Sequence, residues 1–78
     1  MNKVRIYIDL ITINKETEIF ISDNYLLDDA IKDIYRLLNE KFSENIKVYY
    51  EDYNNLLDIT KCIKDIGIKD GDKLIVVS

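Results

Sequence analysis

The last sixteen residues, Ile63-Lys64-Asp65-Ile66-Gly67-Ile68-Lys69-Asp70-Gly71-Asp72-Lys73-Leu74-Ile75-Val76-Val77-Ser78, constrain the fold more than any other stretch of this chain. They read as a short helical turn, a glycine stop, a tight Asp-Gly-Asp turn and a final buried strand. Gly67 suits the left-handed position that ends a helix. Gly71, between two aspartates, suits a turn residue with positive φ. Thr60 is placed to cap a one-turn helix over Lys61 to Ile66. In the strand Lys73 to Val77, Leu74 and Val76 point inward and Ile75 and Val77 outward.

The other elements follow from changes of period. Val4, Ile6, Ile8 and Leu10 alternate with Arg5, Tyr7 and Asp9, which predicts a half-buried strand. Asn14-Lys15-Glu16 is a polar break. Thr17, Ile19 and Ile21 then alternate with Glu18, Phe20 and Ser22, so the two runs read as an amino-terminal hairpin. From Leu27 the spacing becomes helical, with Leu27, Ile31, Ile34, Leu38 and Phe42 in one apolar stripe. Asp28 and Asp29 suit the positive end of that helix and Lys41 the other end, with Asp29–Lys32 as an attractive pair. Tyr25 stands at the expected cap position. Strand character returns at Ile46 to Tyr50. A polar stretch Glu51-Asp52-Tyr53-Asn54-Asn55 follows, and Leu56-Leu57 is a candidate edge strand.

The order is hairpin, helix, strand, small connection, strand. One helix covers one face of such a sheet, so a two-layer α+β domain with an open sheet face is expected. The first and last strands would lie parallel at its centre, as in a β-grasp. A chain of 78 residues has room for a single domain over 1–78. Nearly half its residues are hydrophobic, a third are charged and none is proline, which argues against disorder.

The pattern resembles that of ubiquitin-like β-grasp domains, with a mixed four- to five-stranded sheet packed on one helix. Ile63-x-x-Ile66-Gly67-Ile68-x-x-Gly71-Asp72-x-Leu74 is similar to their carboxy-terminal segment. Within that superfamily the chain looks most like the YukD/EsaB family, small bacterial proteins associated with type VII secretion. The likeness lies in Val4-x-Ile6-x-Ile8-Asp9-Leu10, in Ile19-x-Ile21-Ser22-Asp23 before the helix, and in Gly67-Ile68-x-x-Gly71-Asp72 without a following Gly-Gly. It implies a non-conjugated accessory or adaptor protein that works by protein contacts. The implied partner is a cytoplasmic domain of a membrane-embedded secretion component. The family supplies no catalytic residue.

Several function classes are disfavoured directly. The net charge is −4 and the basic residues are scattered, which is a poor footprint for nucleic acid. No apolar run approaches the roughly 20 residues of a membrane span. The amino terminus goes straight into alternation, with no signal-peptide core, so direct membrane insertion is not expected. There is no histidine, the commonest general base and metal ligand. Cys62 is the single cysteine, which excludes an internal disulfide and favours a reducing, cytoplasmic setting; it reads as a semi-buried packing residue. Asp28-Asp29, Glu51-Asp52 and Asp70-Gly71-Asp72 lack calcium-loop spacing, and no Gly-Lys-Ser/Thr follows the glycines. No enzyme, metal or cofactor is expected.

Function is therefore sought on the surface. Period-two reading puts Arg5, Tyr7, Phe20, Lys47, Tyr49, Ile75 and Val77 on the open sheet face, with Tyr7 beside Ile75 or Val77 and with Phe20 and Tyr49 toward opposite edges. Aromatic and aliphatic groups beside a few basic ones suit a protein-binding patch. Tyr50, Tyr53, Leu56 and Leu57 form a second cluster, read chiefly as completing the core. Two other readings stand beside the adaptor. A sulfur carrier or protein modifier needs a flexible Gly-Gly tail, and no Gly-Gly occurs in this sequence. A homodimeric scaffold would associate through the open face or an edge strand.

Overall fold

A computed structural model describes residues 2–51 and 55–78. Strand β1 (Lys3–Leu10) and strand β2 (Lys15–Ser22) form the hairpin, joined by a 3₁₀ turn at Ile11–Ile13 and by Asn14 in the left-handed region (φ 54°). Helix α1 (Leu27–Leu37), strand β3 (Lys47–Tyr50), the one-turn helix α2 (Ile63–Ile66) and strand β4 (Lys73–Val77) follow. The sheet order is β2-β1-β4-β3. Both central strands run parallel and each edge strand is antiparallel to its neighbour. This is the mixed four-stranded arrangement expected of a β-grasp.

Alternation decides which face is covered. Val4, Ile6, Ile8 and Leu10 of β1, Val48 of β3, and Leu74 and Val76 of β4 are buried in one cluster with Leu27, Ile31, Ile34 and Tyr35 of α1. Ile46, Ile63 and Ile68 close its ends, although Ile46 lies just before β3 rather than in it. Burial of each such side chain stabilises the fold by about 1.5–3 kcal/mol, offset by chain entropy.

The helix is shorter than its apolar stripe. Asn39 adopts φ 57°, the Asn39 N–H donates to Arg36 O (3.1 Å) and the Glu40 N–H to Tyr35 O (2.9 Å). That pair of bonds is a Schellman stop, with asparagine in glycine's usual place. Leu38 and Phe42 still pack on the core, Phe42 edge-on to Tyr35 at 5.6 Å, but Phe42 and Lys41 lie beyond the helix. The cap residue is Leu26 rather than Tyr25, and it makes no side-chain cap bond. Lys32 pairs with Asp28 (3.2 Å) one turn back, in place of the expected Asp29.

The turn that opens β4 joins the two central strands. The Asp72 N–H donates to Lys69 O (3.0 Å) around Gly71, whose φ of 89° is the value that favours glycine. An Asp70 carboxylate oxygen accepts from the Arg5 N–H (2.7 Å), the Gly71 N–H donates to Arg5 O (2.7 Å), and the Tyr7 N–H donates to Asp72 O (2.9 Å). The turn thus extends the parallel ladder below β4. Asp72 Oδ2 also accepts from the Lys69 N–H and from the Tyr50 hydroxyl of the edge strand.

Residues 59–64 run beside 23–28. The Asp28 N–H donates to Ile59 O (2.9 Å), the Leu27 N–H to Lys61 O (3.1 Å), the Ile63 N–H to Tyr25 O (2.9 Å) and the Lys64 N–H to Asp23 O (2.9 Å). Helix α2 is accordingly capped by the half-buried Cys62, and Thr60 stands outside it. Thr60 instead donates its N–H (3.0 Å) and its hydroxyl (2.6 Å) to Asp58 Oδ1. Gly67 ends α2 at φ 92°, as expected. Among the described residues, Leu56 forms an isolated bridge with Tyr49 rather than an edge strand.

Two stability outcomes follow. Leu74→Ala, at a fully buried central position, is expected to cost about 2–5 kcal/mol in denaturant unfolding, a large share of the ~5–15 kcal/mol available to a small domain. The Thr60 hydroxyl bond, followed by the Thr60 N–H bond, holds the Asp58 carboxyl below its ordinary value. Stability from this ionised group is complete above the unfolded carboxylate pKa and is lost as pH falls through the lowered folded one. Asp58→Ala should therefore lower the melting temperature at neutral pH, with the gap to the parent closing as acid protonates Asp58. A gap independent of pH would remove this account.

Candidate functional site

The register places all seven predicted surface residues on the open face. Arg5 lies opposite Phe20 and Tyr7 opposite Glu18 across β1–β2. On the other side of β1, Tyr7 aligns with Lys73 and Asp9 with Ile75. Across β4–β3, Ile75 faces Tyr49 and Val77 faces Lys47. The expected Tyr7–Ile75 or Tyr7–Val77 pairing is thus replaced by Tyr7–Lys73, because the parallel register is set lower by the Asp70–Asp72 turn. Phe20 and Tyr49 do lie on opposite edge strands.

The seven residues are not one patch. At one corner Phe20 is 58% exposed, with the Lys3 ammonium 5.7 Å and the Arg5 guanidinium 5.9 Å from its ring centre. Each such cation–π contact at an exposed site contributes about 0.5–1 kcal/mol. At the opposite corner lie Lys47, Tyr49, Ile75 and Val77. The Ser78 N–H donates to Thr12 Oγ1 (3.1 Å), which brings the Ile11–Ile13 turn and its exposed Ile11 to that end of the sheet.

Ile75 departs from the sequence reading in one respect. It is on the open face and outside the main core, yet only 5% of it is exposed. It stands on a central strand with Asp9 on one side and Tyr49 on the other, so its neighbours cover it. Ile75 forms the floor of that corner, and Tyr49 and the half-buried Val77 form its accessible rim.

Between the corners lies an acidic band that the sequence reading left out. Asp9 faces Glu16 directly, Glu18 is in the next row, and Tyr7, Glu16, Thr17, Glu18 and Lys73 line a shallow groove. The alternation of Glu16 and Glu18 with Thr17 already places them on this face. Among the described residues, no group of three His, Cys, Asp or Glu side chains could hold a metal.

The second cluster follows its core reading in part. Tyr50 and Leu57 pack against the core, whereas Leu56 is 59% exposed. Tyr53 lies outside the described residues. On the far surface, the Tyr25 hydroxyl donates to Asp33 Oδ2 (3.1 Å); this bond, and then the Asp33 charge, raise the phenol above its ordinary pKa. No described helix is long and apolar enough to cross a membrane.

No protein-family model matches the chain, and no curated protein matches it in sequence. Solved structures do. A chain from work on molecular mimicry of SUMO that promotes DNA repair superposes with a TM-score of 0.88 at 18% identity, over 100% of this chain and 94% of that one. The ubiquitin-like domain of the Mycobacterium tuberculosis type VII secretion protein EccD1 matches with a TM-score of 0.62 at 18% identity, over 100% of both chains. A chain of the ESX-3 core complex matches with a TM-score of 0.67 at 14% identity; 99% of this chain corresponds to 16% of that one. The fold is the ubiquitin-like β-grasp, and its structural neighbours include a domain of a type VII secretion component.

Proposed function

We propose that this protein is a non-enzymatic adaptor of a type VII secretion apparatus, of the YukD/EsaB kind. It binds a cytoplasmic domain of a membrane-embedded component and is held at the membrane through that partner. The observation that carries this reading is the end-to-end likeness to the EccD1 ubiquitin-like domain, seconded by the chain of the ESX-3 core complex.

The open face offers the means. A binding surface gains most from aromatic and aliphatic groups that are accessible yet rest on an ordered base. Tyr49 and Val77 are half-buried above Ile75, with the exposed Lys47 beside them, while Tyr7 is accessible in the middle of the face. Charged groups at the rim contribute orientation more than affinity. The principal contacts are therefore assigned to Tyr7, Tyr49 and Val77, with Ile75 supporting them from below.

The test uses the cytoplasmic domain of a type VII secretion membrane component from the same organism, titrated calorimetrically against the full chain. Tyr7→Asp and Val77→Asp are each expected to weaken binding at least about tenfold, or ~1.4 kcal/mol. Leu37→Asp, on the helix at 81% exposure, should leave it unchanged. Circular dichroism confirms that each variant is folded. Equal affinities for all four proteins would exclude this face, and absence of binding by the parent would exclude the partner.

A further inference from the structure

The two edges of the sheet are finished differently. Beside β3 the Leu57 N–H donates to Val48 O (2.8 Å) and the Tyr50 N–H donates to Asn55 O (2.8 Å), so residues 55–57 cover that edge. Among the described residues, strand β2 has only β1 as a neighbour. It is eight residues long and pairs one-to-one with β1 from Ser22 to Lys15 without a bulge. Of the devices that protect such an edge, β2 has charged side chains, Lys15, Glu16 and Glu18, but no proline, bulge or short length.

The backbone groups on that edge can be assigned. Arg5 and Tyr7 of β1 direct their N–H and C=O groups toward β4 and its turn. The even residues of β1 therefore bond to the odd residues of β2, Thr17, Ile19 and Ile21. Glu16, Glu18 and Phe20 consequently point their N–H and C=O groups outward, where no backbone partner meets them among the described residues. The outward carbonyl of Ser22 is already used by the Tyr25 N–H (3.1 Å).

The side chains on this strand specify what can pair with it. Its first half carries Glu16 and Glu18 on the open face, next to Asp9, and its second half carries Phe20 beneath Lys3 and Arg5. A parallel second strand of the same sequence would set acid against acid. An antiparallel copy, related by a two-fold axis, sets the acidic half against the basic aromatic half twice over. Like charges directly opposite are destabilising, which rejects the register with Glu18 facing itself. With the axis at Ile19, Glu18 faces the second copy's Phe20 and its flanking Arg5, and the half-buried Ile19 side chains meet on the helix side.

We propose that β2 is a self-association edge, at which two copies of this chain join antiparallel about Ile19 into a continuous eight-stranded sheet. The rungs are made by the outward backbone of Glu18 and Phe20, and the register is selected by Glu18 against Arg5 across the junction. The corner formed by Tyr49, Ile75 and Val77 lies two to three strands away, so dimerisation leaves it accessible and does not depend on the adaptor reading.

The test is sedimentation equilibrium of the full chain from about 10 µM to 1 mM, the range suited to a small interface. A reversible monomer–dimer equilibrium that weakens with salt is expected. Glu18→Pro removes an outward N–H that the β1 ladder does not use, a site where an edge strand tolerates proline, and should weaken association at least about tenfold. Glu18→Lys should also weaken it, and adding Arg5→Glu should restore it by exchanging the two charges. The Glu18 and Phe20 amides should gain hydrogen-exchange protection as concentration rises. A monomer throughout the range, or a dimer indifferent to these variants and without that protection, would overturn the proposal.

Discussion

The parallel pairing of β1 with β4 is the constraint on which the rest of the molecule depends. These strands lie 63 residues or more apart in sequence, and joining them requires the intervening chain to return to its starting edge. Such long-range closure is entropically costly and is supported here at two levels. Ile6, Ile8, Leu10, Leu74 and Val76 are buried together beneath α1, and the Asp70-Gly71-Asp72 turn supplies hydrogen bonds where the strand itself has not begun. Asp70 acts as a substitute strand carbonyl for Arg5. Asp72 links the same turn to Tyr50 of β3, so one short loop contacts three strands.

That arrangement explains which parts of the fold were legible from the residues. The alternation in β1 and β4, the stripe from Leu27 to Ile34 and the glycines at 67 and 71 each encode a local conformation that tertiary packing does not reverse. The helix end was less legible, because Leu38 and Phe42 satisfy the helical period while Asn39 breaks it. An asparagine in the left-handed region competes with helix only when the following backbone bonds can form. The cap of α2 was missed for a related reason. Thr60 has the right chemistry, but its hydroxyl is taken by Asp58 and the segment is extended by pairing with residues 23–28.

The open face shows the same division between periodicity and register. Strand parity placed Arg5, Tyr7, Phe20, Lys47, Tyr49, Ile75 and Val77 together on one side. Parity carries no information about offset along a parallel pair, so the neighbours of Tyr7 were beyond its reach. The offset is set by the turn and puts Lys73, not Ile75, beside Tyr7. The acidic band of Asp9, Glu16 and Glu18 follows from the same parity, since each shares the open face with Tyr7.

Position within the sheet also decides what an apolar residue on this face can do. Ile75 occupies a central strand, where side chains from both neighbouring strands close over it, and at 5% exposure it has little area left to give a partner. Its burial already contributes to the stability of the free protein. Apart from Tyr7 in the middle of the face, accessible apolar area comes from residues at the margins, namely Phe20 on β2, Tyr49 on β3 and Val77 at the end of β4. Two of these margins meet at one corner and the third lies diagonally across the sheet, with carboxylates between them. A single flat apolar partner would have to desolvate that acidic band to reach both, an expensive step without a matching cation. The layout therefore favours separate uses for the two corners over one continuous interface.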